Sequence, residues 1–292
     1  MIKLAKVSRK IPTIFWPSYS FLLKTFINFQ KSNGLICTNS LAYTFLLAFV
    51  PFSIATASIS DLLPFSDSLI KEVEAYFFAR FLPQSGTDIY DLIKLSFRHS
   101  TRLSILGVIS LFVTIFGMMF AIEQHIHQMW HLKRQRKIIH SLLIFSCFFI
   151  LGPLVTYTMA FIYRVLSVKF NLTDETQYII SECLSTFITI SSFITVYKFI
   201  PNKKVNWRYV ISAGFIAAML FSVLRWLFAA SMMNLQQEYS LLYGSLVTLP
   251  IFLLWIYLSC LIFLYCAQII YVAERIKGRK RKFRNKRISP TS

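Results

Sequence analysis

The sequence predicts an all-α polytopic membrane protein, a bundle of six transmembrane helices with two short amphipathic helices outside the bilayer between spans one and two. Three observations predict it. Of the 292 residues 56% are hydrophobic and only 15% charged, with a mean hydropathy of +0.59, whereas soluble domains run at about 45–50% apolar and about 25% charged. Six apolar runs each reach the length of about 20 residues that a spanning helix needs. Lys and Arg collect beside alternate runs instead of coating a surface, which is a topology signal. None of the runs alternates with period two, so a β-barrel is excluded.

In chain order, residues 1–34 read as a basic cytoplasmic N-terminus. Within it Phe15 to Phe29 mixes aromatics with Lys24 and Asn28, as an interfacial helix does. Met1 to Lys10 is basic, but no apolar core and small-residue cleavage site follow, so a cleaved signal is not expected. Residues 35–273 form the transmembrane domain. Its spans are Leu35 to Ile59, Leu103 to Ile122, Ile138 to Tyr163, Tyr178 to Phe199, Tyr209 to Ala230 and Ser245 to Tyr271. The outer loop, 61–102, holds Leu69, Ile70, Val73 and Phe77 at helical spacing, then Ile89, Leu92, Ile93 and Phe97 likewise. These are the two amphipathic helices, lying on or capping the outer mouth. Residues 274–292 are a basic cytoplasmic tail, with Arg275 to Arg287 a solvated run beside anionic phospholipid headgroups.

Orientation follows from the basic residues. With the N-terminus inside, 23 of the 31 Lys and Arg face the cytoplasm and seven face out, leaving Arg225 in a span. Such a chain is multi-pass, with both termini cytoplasmic and the lipid bilayer as its partner. The net charge of +19 is concentrated at these flanks, so no nucleic-acid partner is expected. Cys37, Cys147, Cys183, Cys260 and Cys266 fall in apolar stretches without a C-x-x-C pair and read as small buried hydrophobes.

Polar residues inside spans are the candidates for function. Glu182 lies about one turn inside the outer end of span four and Arg225 just over one turn inside that of span five. At about 1.5 Å per residue both sit roughly 6–8 Å below the outer boundary, and they are expected to face each other as ionisable groups in membranes do. Span four also carries Ser181, Ser185, Thr186, Thr189, Ser191, Ser192 and Thr195, with Glu182, Thr186 and Thr189 on one face. Such a helix is central or lines a wet cavity, unless its hydroxyls bond back to their own carbonyls. Asn39 and Tyr43, one turn apart near the inner mouth of span one, are a second polar candidate. Pro51, Gly152-Pro153 and Pro250 are expected to bend their spans. Gly214, Ala218 and Ser222 form a small-residue stripe for close helix packing. Glu123, His127 and His131 follow a spacing that metals use, but stand where span two leaves the bilayer and read as interface residues. No metal and no cofactor are expected.

Three stretches carry a family resemblance. They are Leu41-Ala42-Tyr43-Thr44-Phe45-Leu46-Leu47 with Pro51-Phe52; Tyr197-Lys198-Phe199-Ile200-Pro201 with Val205-Asn206-Trp207-Arg208 and Gly214; and Tyr243-Gly244-Ser245-Leu246 with Leu254-Trp255-Ile256-Tyr257-Leu258. In this order they resemble the YihY/BrkB family of bacterial inner-membrane proteins (virulence factor BrkB-like, formerly labelled ribonuclease BN), over roughly Leu35 to Glu274. The chain departs from that pattern at Gln128-Met129-Trp130, where the family has Asn before its Trp. The resemblance implies six helices and an inner-membrane location, with transport of lipid or envelope precursors suggested and no catalytic residues to carry over. The residues add little support for an enzyme: Glu123 and Glu274 are the only carboxylates on the basic face, and no phosphate loop occurs. The expectation is a transporter or lipid-handling protein acting on a lipid or small-molecule substrate. The alternative is a scaffold for envelope assembly. Ribonuclease activity is disfavoured, and oligomeric state is not legible.

Overall fold

A computed structural model describes residues 19–62, 101–132, 139–144, 146, 147, 155, 158, 174–203, 205–243 and 248–288. Among them every regular element is helical. In chain order these are α1 (Tyr19–Lys31), α2 (Gly34–Leu62), α3 (Thr101–Met129), α4 (Asp174–Phe199), α5 (Trp207–Tyr243) and α6 (Thr248–Ile288). Residues 139–144, the start of the third expected span, are also helical. The rest of that span is largely outside the described residues, as are the amphipathic helices expected within 61–102 and the Gly152-Pro153 bend.

α1 and α2 are joined by a turn that the sequence dictates. Asn33 takes a left-handed conformation, φ 55°, which Asn tolerates better than most residues. Its amide donates back to the carbonyl of Gln30, and its own carbonyl accepts from the Cys37 amide to start α2. A Cβ on Gly34 would fall 2.5 Å from the Phe29 ring, so only glycine lets the turn close over that aromatic. α3 ends in the same manner: His131 is left-handed at φ 50°, His131 donates to Gln128 and Leu132 to His127. This pair of bonds is a Schellman ending, and Leu132 packs on the core as that motif requires.

α6 is the hub. It packs on α1, α2, α5 and α3, while α2 pairs with α3 and α4 with α5. Its stretch Cys266 to Ile270 is buried without a break, which a helix shows only when neighbours surround it. Phe252 meets Phe49 of α2, Tyr265 meets Phe29 of α1, and Tyr197 of α4 donates its hydroxyl to the Phe263 carbonyl at 2.9 Å. α5 shows the opposite arrangement of faces. Val210, Ala213, Ala217, Leu224 and Phe228 are buried, while Ile211, Phe215, Met219, Val223 and Trp226 are exposed. Such an exposed apolar stripe suits acyl chains and not water.

Trp207–Ala230 and Pro250–Lys277 are long and apolar enough to cross a bilayer, and Gly34–Phe49 is a shorter apolar helical stretch. α2 and α3 have 29 residues each, about 43 Å at 1.5 Å per residue. One expectation is corrected. Pro250 does not bend a span: it is the third residue of α6, in the first turn, where its missing N–H has no intrahelical acceptor to lose. α6 continues through the basic tail to Ile288. α2 remains helical through Pro51.

Candidate functional site

The α4–α5 interface is built on small residues. Gly214, Ala217 and Ala218 are buried, and a Cβ on Gly214 would lie 2.6 Å from Ile194 Cγ1 and 3.2 Å from the Ile194 amide nitrogen. The two helices therefore touch backbone to backbone at that level. From there they run antiparallel, past the edge-to-face rings of Phe193 and Phe221, to Glu182 and Arg225. Arg225 Nη2 stands 3.6 Å from Glu182 Oε2, with the side chains 32% and 34% exposed. That is an ion-pair contact, longer than the roughly 2.7–2.9 Å of a charge-assisted hydrogen bond. Partial exposure leaves the guanidinium able to trade partners.

Ser185, Thr186, Thr189, Phe221, Ser222 and Arg225 line a polar slot beside this pair, of about 10 Å³, the scale of one water molecule. Thus the structure brings Glu182, Arg225, Thr186 and Thr189 into one place. The hydroxyls mostly serve their own helix: Thr189 donates to the Ser185 carbonyl, Ser192 to Ile188 and Thr195 to Ser191, at 2.9, 2.9 and 2.6 Å. A wide wet cavity along α4 is not seen among these residues.

Asn39 and Tyr43 are not part of this site. α2 turns Cys37, Thr38 and Leu41 inward against α3 and α6, and leaves Asn39 and Tyr43 on its exposed side. Tyr43 is 62% exposed. The packing of α2 on two neighbours decides which of its faces is exposed.

A second polar arrangement, at the opposite end of the bundle, was not singled out from the sequence. The turn after α1, the end of α3, the α4–α5 connection and the last third of the buried part of α6 meet there. Ser141 donates to Glu123 Oε2 at 2.8 Å, with both groups buried. The Asn202 amide donates to His127 Nε2 at 3.2 Å, and the Asn206 amide to Glu274 Oε1 at 2.9 Å. Gln268, fully buried, donates weakly to Ser32 Oγ at 3.4 Å, and its Oε1 is unpartnered. Lysines ring this end: Lys198 lies over Trp207, Lys203 over Tyr271 and Lys277 over Tyr209. The available signal was that Glu123 and Glu274 are the only carboxylates on a basic face. His125, just beyond span two, has its pKa lowered by burial.

The Glu123, His127, His131 spacing does not make a metal site. α3 ends at Met129, so left-handed His131 leaves the face shared by the other two. Among the described residues no cluster of metal-ligating side chains forms.

Comparison with known proteins places this geometry in context. Residues 25–289 match the profile of a family described as virulence factor BrkB. A UPF0761 membrane protein of Psychrobacter sp. (strain PRwf-1) is 32% identical over 91% of this chain and 50% of its own length. One of Pseudoalteromonas atlantica is 26% identical over 88% of this chain and 87% of its own. One of Janthinobacterium sp. (strain Marseille) is 30% identical over 82% and 56%. The chain therefore spans about half the length of two of these relatives and most of the third. No solved structure matches it.

Proposed function

The chain belongs to the virulence factor BrkB family of membrane proteins, and from that membership we propose that it handles or transports a lipid or envelope precursor across the bacterial inner membrane. In this reading six helices span the bilayer and both ends are cytoplasmic. Support comes from where the basic residues gather: Lys198, Lys203, Arg208 and Lys277 share one end of the bundle with the close of α3 and the turn before α2. Lysines seated on aromatic rings at that rim suit anionic phospholipid headgroups.

The observation that carries the proposal is the Glu182–Arg225 pair, one-third exposed beside a hydroxyl-lined slot on otherwise apolar helices. Ionisable groups in a span are expensive and mark pathways. The pair holds Arg225 neutralised until an anionic headgroup replaces Glu182. A slot of about 10 Å³ is too small to enclose such a group, so engagement is lateral or needs α4 and α5 to part. An enzymatic role is not proposed: Glu123 and Glu274 are both turned toward protein donors, not toward a shared site for a phosphodiester.

Envelope-lipid profiling tests this. Deletion and Arg225→Ala are expected to accumulate the same lipid species, and Glu182→Arg with Arg225→Glu to restore the wild-type profile that each single reversal loses. The tight α4–α5 contact at Gly214 favours a second reading, a non-transporting scaffold for envelope assembly. That reading prevails if folded Arg225→Ala and Glu182→Ala proteins keep a wild-type profile that deletion abolishes.

A further inference from the structure

Two of the described residues compete for one ring nitrogen of His127. Its Nε2 lies 3.2 Å from the backbone nitrogen of Asn202 and 3.9 Å from Glu123 Oε1. A nitrogen that accepts the Asn202 N–H carries no proton, so the imidazole drawn here is neutral, with its hydrogen on Nδ1. In that state α3 holds the first half of the α4–α5 connection. A proton added at Nε2 would oppose the Asn202 N–H and turn the ring toward the carboxylate one helical turn away. The His127 and Glu123 side chains are only 7% and 9% exposed, so the resulting ion pair would be weakly screened.

We propose that His127 is a proton-binding site whose occupancy selects between Asn202 and Glu123, tying the α4–α5 connection to α3 when empty and releasing it when filled. Among the described residues one further imidazole stands close by, His125 on the same helix, whose Nδ1 is buried without a partner; the remaining groups nearby are engaged or turned away. From the connection, Lys198 donates to the Val205 carbonyl and lies over Trp207, and Lys203 lies over Tyr271. From α6, Glu274 accepts from Asn206 and Lys277 lies over Tyr209. His140 beside Ser141 is exposed, and His131 has left the helix. Glu123 keeps Ser141 on its other oxygen, so it can receive His127 without losing its own anchor. The Lys198 and Asn206 bonds hold the second half of the connection, which confines the release to residues 200–203. The inference does not rest on the transport reading; a scaffold would carry the same site.

Hydrogen–deuterium exchange of the full chain in lipid nanodiscs, between about pH 8 and pH 5 and corrected for intrinsic rates, reads the release directly. In wild type the peptide over 200–206 is expected to lose roughly tenfold protection on acidification, the scale of one hydrogen bond, while the buried stretch of α5 keeps its own. His127→Gln places an amide where Nε2 stood and does not titrate, so its 200–206 protection is expected to be flat with pH. A flat wild type, or an unchanged transition in His127→Gln, overturns the proposal. Should that variant not fold, Glu123→Gln decides: it keeps an acceptor for Ser141 but offers no charge, and its transition must move to lower pH. An unmoved transition there overturns the proposal equally.

Discussion

Gly214 and Gly117 are both helical glycines, and the structure assigns opposite signs to the same substitution. Gly to Ala in a helix interior gains about 0.5–1 kcal/mol from backbone entropy alone. At Gly117, exposed on α3, a Cβ meets nothing within 4 Å, so that gain is expected in full. At Gly214 the new methyl would sit 2.6 Å from Ile194 Cγ1 and 3.2 Å from the backbone nitrogen behind it. Relief requires Ile194 to leave its rotamer, and even then the backbone atoms of Ile194 must yield by a few tenths of an ångström, which the packed α4–α5 pair resists. Overpacking of this kind costs typically 1–3 kcal/mol, which exceeds the entropic gain. Gly214→Ala is therefore expected to destabilise by about 1 kcal/mol net, and Gly117→Ala to stabilise by slightly less. For a chain of this size 1 kcal/mol corresponds to about 2–4 °C in Tm. A thiol-reactive fluorogenic dye in a thermal ramp supplies the assay: Cys147 and Cys183, exposed against the expectation of burial, set the starting signal, and the buried Cys37, Cys260 and Cys266 become reactive on unfolding. Equal or raised Tm for Gly214→Ala would refute the close α4–α5 approach, and with it the register that sets Arg225 beside Glu182.

Two further outcomes follow from the same packing. His131→Gly is expected to raise stability by about 1 kcal/mol, since glycine adopts the left-handed position at the end of α3 without the penalty a Cβ incurs; a lower Tm would show that the imidazole holds something in place. Gln268→Met is expected to be neutral or stabilising in the same thermal ramp, because the fully buried amide makes one long hydrogen bond and leaves Oε1 unpartnered. A loss of several degrees would mean that the Gln268 amide is satisfied in the membrane.

Long apolar runs, flanking lysines and arginines, and the family-bearing stretches are properties of contiguous sequence, so the membrane-helix class was legible before any coordinates. The Glu182–Arg225 meeting was also readable, because two opposite charges at matching depth in consecutive antiparallel spans have few other places to go. The polar layer at the other end of the bundle was not. Its bonds join residues 18, 75, 68 and 236 positions apart, and no local pattern encodes which helix faces come together. Asn39 and Tyr43 show the same limit: helical periodicity puts them on one face of α2, but packing against α3 and α6 makes it the outward one. The Glu123–His127–His131 spacing presumed a helix that the left-handed His131 terminates. Hydrophobicity along the chain sets what enters the bilayer, whereas the choice of neighbours around α6 sets which buried polar groups find one another.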